Sequence, residues 1–128
     1  MTHSMRTPLS RARGLGSAKS GVGHFSQQRA SAMFLALLLP WFALSVIFAT
    51  DGGFISVHRW LSAPFNAAGT LLLVLTGVFH MRLGLQTIIE DYIHTPVMRT
   101  ICMLANTAIP AILAIVATLS VAKVFVGA

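Results

Sequence analysis

The sequence has few acidic residues: three Asp and Glu stand against nine Lys and Arg among 128 residues. Charged residues make up 9% of the chain, whereas soluble domains usually carry about 25%. Three long stretches, residues 30–50, 60–81 and 100–122, contain no Asp, Glu, Lys or Arg. Each could cross a hydrocarbon core roughly 30 Å thick. The scarcity of charge argues against a soluble domain and predicts an integral membrane protein.

Cysteine is almost absent as well. The single Cys102 lies in the third apolar stretch, so no intrachain disulfide can form, and we expect its thiol to pack like a small hydrophobic group.

The spans show no inverted repeat and no paired intramembrane charges, which argues against a transporter. The short loops leave little chain for a soluble catalytic domain.

The apolar stretches predict an all-α integral membrane fold with three transmembrane helices. We place the spans at about 32–49, 64–89 and 99–124, within a membrane domain over residues 31–128. Residues 1–30 form a polar, basic amino-terminal segment. This segment has no apolar periodicity, so we expect an extended tail or one that a partner orders.

The basic residues predict the orientation of the chain. Five of the nine lie in the first 29 positions, with no acid among them: Arg6, Arg11, Arg13, Lys19 and Arg29. Basic flanks stay on the negative side of a membrane, which is a bacterial cytoplasm or a mitochondrial matrix. Three spans then place the carboxyl terminus on the opposite side. A cleaved mitochondrial transit peptide is the alternative interpretation of this acid-free tail.

His80 is the main candidate site residue, because a histidine inside a bilayer is costly and is a functional candidate by default. Its helical stripe also carries Gly84, Thr87 and Asp91. A neutral imidazole can bind haem iron; a histidine that only packs and hydrogen-bonds across helices is the alternative. No other histidine falls at membrane depth in this prediction, so a second axial ligand would have to come from another chain.

Three glycines lie near the predicted face of His80: Gly69, Gly77 and Gly84. Glycine weakens a helix, so its repeated use there suggests that something flat or bulky approaches this face closely. The glycines therefore favour a macrocycle beside His80.

Asp91 and Tyr92 follow at the predicted membrane surface. A phenol there can donate a hydrogen bond to a quinone carbonyl, and a carboxylate beside it can orient the site or relay protons. An interfacial tyrosine next to a helix-ending acid is the alternative. Arg82 lies on a second polar stripe with Gln86 and Glu90, about 200° around the helix from His80, and its role stays open.

These residues resemble the smaller hydrophobic membrane anchor of succinate dehydrogenase (respiratory complex II), most closely its alphaproteobacterial and mitochondrial members. The pattern consists of His80, Gly84, Gln86, Asp91 and Tyr92. The approach to the first span adds Gly16, Ser17, Gly21, His24, Arg29 and Ser31. With the three-span layout, the resemblance extends over nearly the whole chain.

The resemblance implies a helical bundle completed by a second membrane anchor. It implies that His80 is an axial ligand of haem b, shared with that second anchor, and that Tyr92 hydrogen-bonds ubiquinone with Asp91 in support. A flavoprotein subunit would oxidise succinate and an iron–sulfur subunit would pass the electrons inward, so this chain alone is not expected to be catalytic. It would link the tricarboxylic acid cycle to the respiratory chain. An anchor of a fumarate reductase and a cofactor-free structural membrane protein are the alternatives.

Overall fold

A computed structural model of the chain describes residues 7–9, 21–49 and 52–127. Between residues 21 and 127 the described chain forms four helices and no strands. Their bounds are α1 Gly21–Ala49, α2 Phe54–Ser62, α3 Pro64–Tyr92 and α4 Pro96–Val126. The all-α prediction is therefore confirmed.

Proline and glycine determine where the long helices begin and end. Pro64 and Pro96 occupy the first turns of α3 and α4, where a missing N–H removes no helical hydrogen bond. Gly127 ends α4 in the left-handed region, at φ 78°, and its N–H bonds the carbonyls of Lys123 and Val124. A residue with a Cβ adopts this φ at a steric cost, so glycine suits the position.

Three helices are long and apolar enough to cross a membrane, as the sequence predicts. They comprise residues 21–48, 64–92 and 96–126, of 28, 29 and 31 residues. At 1.5 Å per residue each exceeds roughly 40 Å and so projects beyond a hydrocarbon core of about 30 Å.

The tail, expected to be extended or ordered by a partner, is not extended over its last part. Helix α1 begins at Gly21, so residues 21–29 are helical although they lack an apolar period. Extending an existing helix is far easier than nucleating one, and the apolar segment that follows supplies that helix. Residues 1–6 and 10–20 of the predicted tail lie outside the described residues.

Helix α3 lies between α1 and α4 and packs against both, whereas α1 and α4 do not pack against each other over their described residues. Most large apolar side chains of α1 and α4 are consequently exposed. In a membrane these faces contact lipid or other helices. The chain is thus a layer of three helices with open faces, and α3 holds the layer together.

The short helix α2 packs across the end of the layer where α1 ends and α3 begins. Trp60 is buried against Trp41 and Phe42 of α1, with ring centroids 6.4 and 5.7 Å away. The Ser62 hydroxyl lies 2.8 Å from the His58 carbonyl of its own helix and 3.2 Å from the Val124 carbonyl of α4. Helix α2 therefore ties all three long helices together at this end.

The glycines of α3 have different neighbours. A Cβ on Gly69 would overlap the indole ring of Trp41, and one on Gly77 would touch Leu35 at 3.9 Å. Gly84 has open space around it. The expectation that Gly69 accommodates a macrocycle is therefore wrong, because the side chain that approaches it comes from α1 of the same chain. Gly84 alone of the three leaves room for a group from outside.

Candidate functional site

His80 forms a hydrogen bond with a serine of the neighbouring helix. Its Nδ1 lies 2.9 Å from Oγ of Ser31, across the contact between α3 and α1. Ser31 is only 5% exposed, and its Oγ also lies 3.0 Å from the Gln28 carbonyl one turn earlier in α1. The serine is thus held between its own helix and the imidazole.

This arrangement bears on the tautomer of His80. A hydroxyl has one hydrogen to donate, and a carbonyl oxygen can only accept. Both contacts of Ser31 are hydrogen bonds at the same time only if the hydroxyl donates to Gln28 and accepts from Nδ1–H of His80. In the neutral imidazole, Nε2 then carries a free lone pair. A metal-binding histidine commonly has this arrangement, with its second nitrogen donating to an outer partner.

His80 lies deep in the helix. It is 16 residues after Pro64 and 12 before Tyr92, or ~24 and ~18 Å from the two ends of α3. The imidazole is half-buried within this chain. Among the residues that the structure describes, no group of three or more His, Cys, Asp and Glu side chains converges as a metal site. The described residues therefore do not assemble a metal site of three or more such side chains around His80.

Asp91 and Tyr92 lie in the last turn of α3 and point outward. Tyr92 is 78% exposed, and Asp91 is exposed as well. The backbone carbonyl of Tyr92 is within 3.1 Å of Nδ1 of His94, which stabilises the chain reversal before α4. Both side chains are available to groups outside this chain.

The structure does not bring all the predicted site residues together. His80 and Tyr92 are separated by ~18 Å along α3 and by about 120° around it. His80 meets Ser31 between α3 and α1, whereas Asp91 and Tyr92 lie at the end of the layer. The candidate residues therefore lie at two separate places along α3, His80 within the helix and Asp91 with Tyr92 at its end.

The predicted polar stripe of Arg82, Gln86 and Glu90 does not form one hydrogen-bonded group in the structure. Nε2 of Gln86 donates to Oε1 of Glu90 at 2.9 Å, as the spacing of four residues allows. Arg82 does not join this pair. Its backbone carbonyl accepts a hydrogen bond of 3.0 Å from Nδ2 of Asn106 in α4.

Two polar residues of α1, Ser31 beside His80 and His24 two turns earlier, were not identified as candidates from the residue chemistry of the sequence. Ser31 is one of them; it stood only within the family pattern. His24 was assigned to the tail, but it lies in α1, and its Nε2 is buried with no hydrogen-bond partner among the described residues. His24, Gln28 and Ser31 follow the spacing i, i+4 and i+7. This spacing marks one face of a helix and is the signal that could have identified them.

Comparison with known families gives a match over nearly the whole chain. The sequence model described as "Succinate dehydrogenase/Fumarate reductase transmembrane subunit" matches residues 3–121. No solved structure matches this chain.

Curated relatives agree with this match. A protein of Rickettsia bellii named "Succinate dehydrogenase hydrophobic membrane anchor subunit" is 36% identical over 106 residues, covering 82% of this chain and 84% of the relative. A protein of the same name from Rickettsia conorii is 32% identical, covering 73% and 75%. Another from Paracoccus denitrificans is 35% identical over 86 residues, covering 67% of each chain.

Proposed function

Because this chain belongs to the family of succinate dehydrogenase/fumarate reductase transmembrane subunits, we propose that it is the hydrophobic membrane anchor subunit of a succinate:ubiquinone oxidoreductase. The three membrane-spanning helices and the names of the curated relatives support this role. The soluble succinate-oxidising chemistry belongs to other subunits. This chain docks them to the membrane and contributes to the path of electrons to quinone.

The first part of the proposal is that His80 is an axial ligand of haem b. The observation that carries it is the contact of Nδ1 with Ser31, since this contact leaves the lone pair of Nε2 free for iron. Bound haem supplies one-electron transfer at this depth. The open space at Gly84, one turn from His80, suits a flat group beside the imidazole. The second ligand comes from the partner membrane anchor.

The second part is that Tyr92 donates its phenolic hydrogen to a carbonyl of ubiquinone, and that Asp91 orients this site or relays protons. The exposure of Tyr92 at the end of α3 supports it, because a group enclosed by its own chain could not reach a substrate. The hydroxyl of a phenol can donate a hydrogen bond to a carbonyl oxygen. The partner membrane anchor and the iron–sulfur subunit supply the rest of the pocket.

The basic amino-terminal residues support an orientation in a bacterial inner membrane with the amino terminus in the cytoplasm. A mitochondrial inner membrane with this end in the matrix is the alternative. Tyr92 then lies on the same side as the amino terminus. The soluble flavoprotein and iron–sulfur subunits dock on that side, next to the proposed quinone site.

The test is the visible spectrum of the complex purified with its partner subunits. We expect His80→Ala to remove the b-type absorption band, and His94→Ala, at the exposed loop after α3, to keep it. An unchanged band in His80→Ala would refute the ligand assignment.

An anchor of fumarate reductase is the second candidate, since the family description includes that enzyme. Faster quinol-driven fumarate reduction than succinate oxidation by the purified complex would favour it.

A further inference from the structure

Arg82 places a positive charge inside the membrane-spanning part of α3. Its Cα lies ten residues before Tyr92, or ~15 Å from that end of the helix. Helix side chains lean toward the amino-terminal end of their helix, which for α3 is the far end. Arg82 accordingly borders a groove with Val78 and Phe79, the residues one turn earlier. The guanidinium therefore leans toward the bilayer interior, away from the nearer surface.

The guanidinium of Arg82 has no partner among the described residues. Its Nε is buried and makes no hydrogen bond, and no acidic side chain of the described chain forms an ion pair with it. The groove around it, between α3 and α4, is lined mostly by apolar groups such as Leu75, Ala111 and Ala114; the hydroxyl of Thr107, which also lines it, donates to the Met103 carbonyl of its own helix. A cation in such surroundings is costly unless a countercharge or hydrogen-bond acceptors approach it.

Helix α4 has unsatisfied polar groups at the same level. Asn106 is 7% exposed and donates to the backbone carbonyl of Arg82, but its Oδ1 is buried without a partner among the described residues. Pro110 lies one turn later and borders the same groove. It has no N–H to offer the backbone carbonyl of Asn106. Arg82 on α3 and Asn106 on α4 thus each keep a buried polar atom without a partner among the described residues, Arg82 at this groove and Asn106 at a neighbouring groove that Met81 and Leu85 also line.

We propose that this groove docks a transmembrane helix of a partner subunit, whose carboxylate pairs with Arg82. The proposal rests on the proposed function only in that the chain is a subunit of a larger membrane complex. The groove has a volume of about 240 Å³ and is open to the outside of the helix layer, so it admits side chains of a neighbouring helix. The small side chains of Ala111, which is exposed, and Ala114, which is half-buried, let that helix approach closely.

Other sources of negative charge do not fit the position of Arg82. A second copy of this chain cannot supply the carboxylate, since its acids lie outside the apolar stretches: Asp51 precedes α2, and Glu90 and Asp91 end α3. A phospholipid phosphate stays at the headgroup level near the Tyr92 end of α3, whereas the Arg82 side chain leans toward the opposite end. A group bound to His80 lies on the wrong side of α3, because Arg82 is about 200° around the helix from it.

The test uses a benzophenone side chain at position 111, in place of Ala111, in the complete complex. We expect irradiation to join this chain to a second membrane subunit. Benzophenone at position 112, one residue along and ~100° around α4, serves as the control and should lack that product. Arg82→Met should abolish the product from position 111, Arg82→Lys should keep it, and Arg99→Met, at an exposed arginine of the first turn of α4, should leave it unchanged.

The partner residue can then be identified by charge exchange. We expect Arg82→Glu to lose the product and a partner acid→Arg change near the cross-link to restore it. Cross-linking only to lipid or to a second copy of this chain, or a product that survives Arg82→Met, would overturn the inference. Copurification of the succinate-oxidising subunits with the position-111 complex is measured first. Its absence counts against the proposed function, whereas its presence without the cross-link counts against the docking groove alone.

Discussion

The Ser31 hydroxyl lies 2.9 Å from Nδ1 of His80, although 49 positions separate the two residues in the sequence. Because Ser31 also reaches the Gln28 carbonyl, both bonds form together only with the proton on Nδ1. One buried hydroxyl therefore selects the imidazole tautomer that can bind a metal through Nε2. A substitution of Ser31 therefore tests the proposed ligand role of His80, as a substitution of His80 itself does.

Ser31→Ala should weaken haem binding roughly 10- to 100-fold, the usual cost of losing the outer partner of a histidine ligand. Haem content per complex and the rate of haem loss to apomyoglobin measure this effect. Ser31→Thr keeps the hydroxyl and should retain most of the haem. Ser26→Ala is the matched control, because Ser26 makes the same bond to a carbonyl one turn earlier, that of Gly23, at an exposed position. Equal haem retention by Ser31→Ala and Ser26→Ala would contradict the tautomer argument.

Tyr92→Phe keeps the ring and removes the donor. We expect succinate–ubiquinone activity to fall more than roughly tenfold, since one catalytic hydrogen bond usually contributes more than about 1.4 kcal/mol. Succinate oxidation with a soluble dye acceptor is the control and should stay near the wild-type rate. A mutant that reduces ubiquinone as fast as the wild type would show that Tyr92 is only an aromatic residue of the membrane interface.

Gly69→Ala should destabilise the anchor by about 1–3 kcal/mol, the usual cost of overpacking, because its Cβ would overlap Trp41. Gly84→Ala is the matched control in the same helix, since its added group would have open space around it. Thermal unfolding of the detergent-purified complex measures both. A Gly69→Ala variant as stable as the wild type would show that Trp41 can move aside at little cost.

Reporter fusions test the topology. With three spans and a basic amino-terminal segment, we expect the amino terminus in the cytoplasm and the carboxyl terminus in the periplasm. Alkaline phosphatase, which is active only outside the cytoplasm, should be active when fused after Val126 and inactive when fused within the loop after Tyr92. Activity of both fusions would rule out this arrangement.

Hydropathy was sufficient to predict the number and class of the spanning helices. A bilayer requires about 20 apolar residues in each crossing, so this property is local and visible in composition. The breaks at Pro64 and Pro96 are local too, because proline has no N–H to continue a preceding helix. The start of α1 was less predictable, since residues 21–29 become helical by extension of the apolar segment after them.

The sequence by itself also pointed to His80, Asp91 and Tyr92 as candidates, because a costly histidine and an interfacial acid–phenol pair follow from residue chemistry and spacing along one helix. Which side chains of other helices contact the residues of α3 was decided by the tertiary structure alone. The contacts of Ser31 with His80, Trp41 with Gly69 and Asn106 with Arg82 each depend on how far one helix slides and rotates against another. That register arises from side-chain packing between segments distant in sequence, and the periodicity within a single helix carries no information about it.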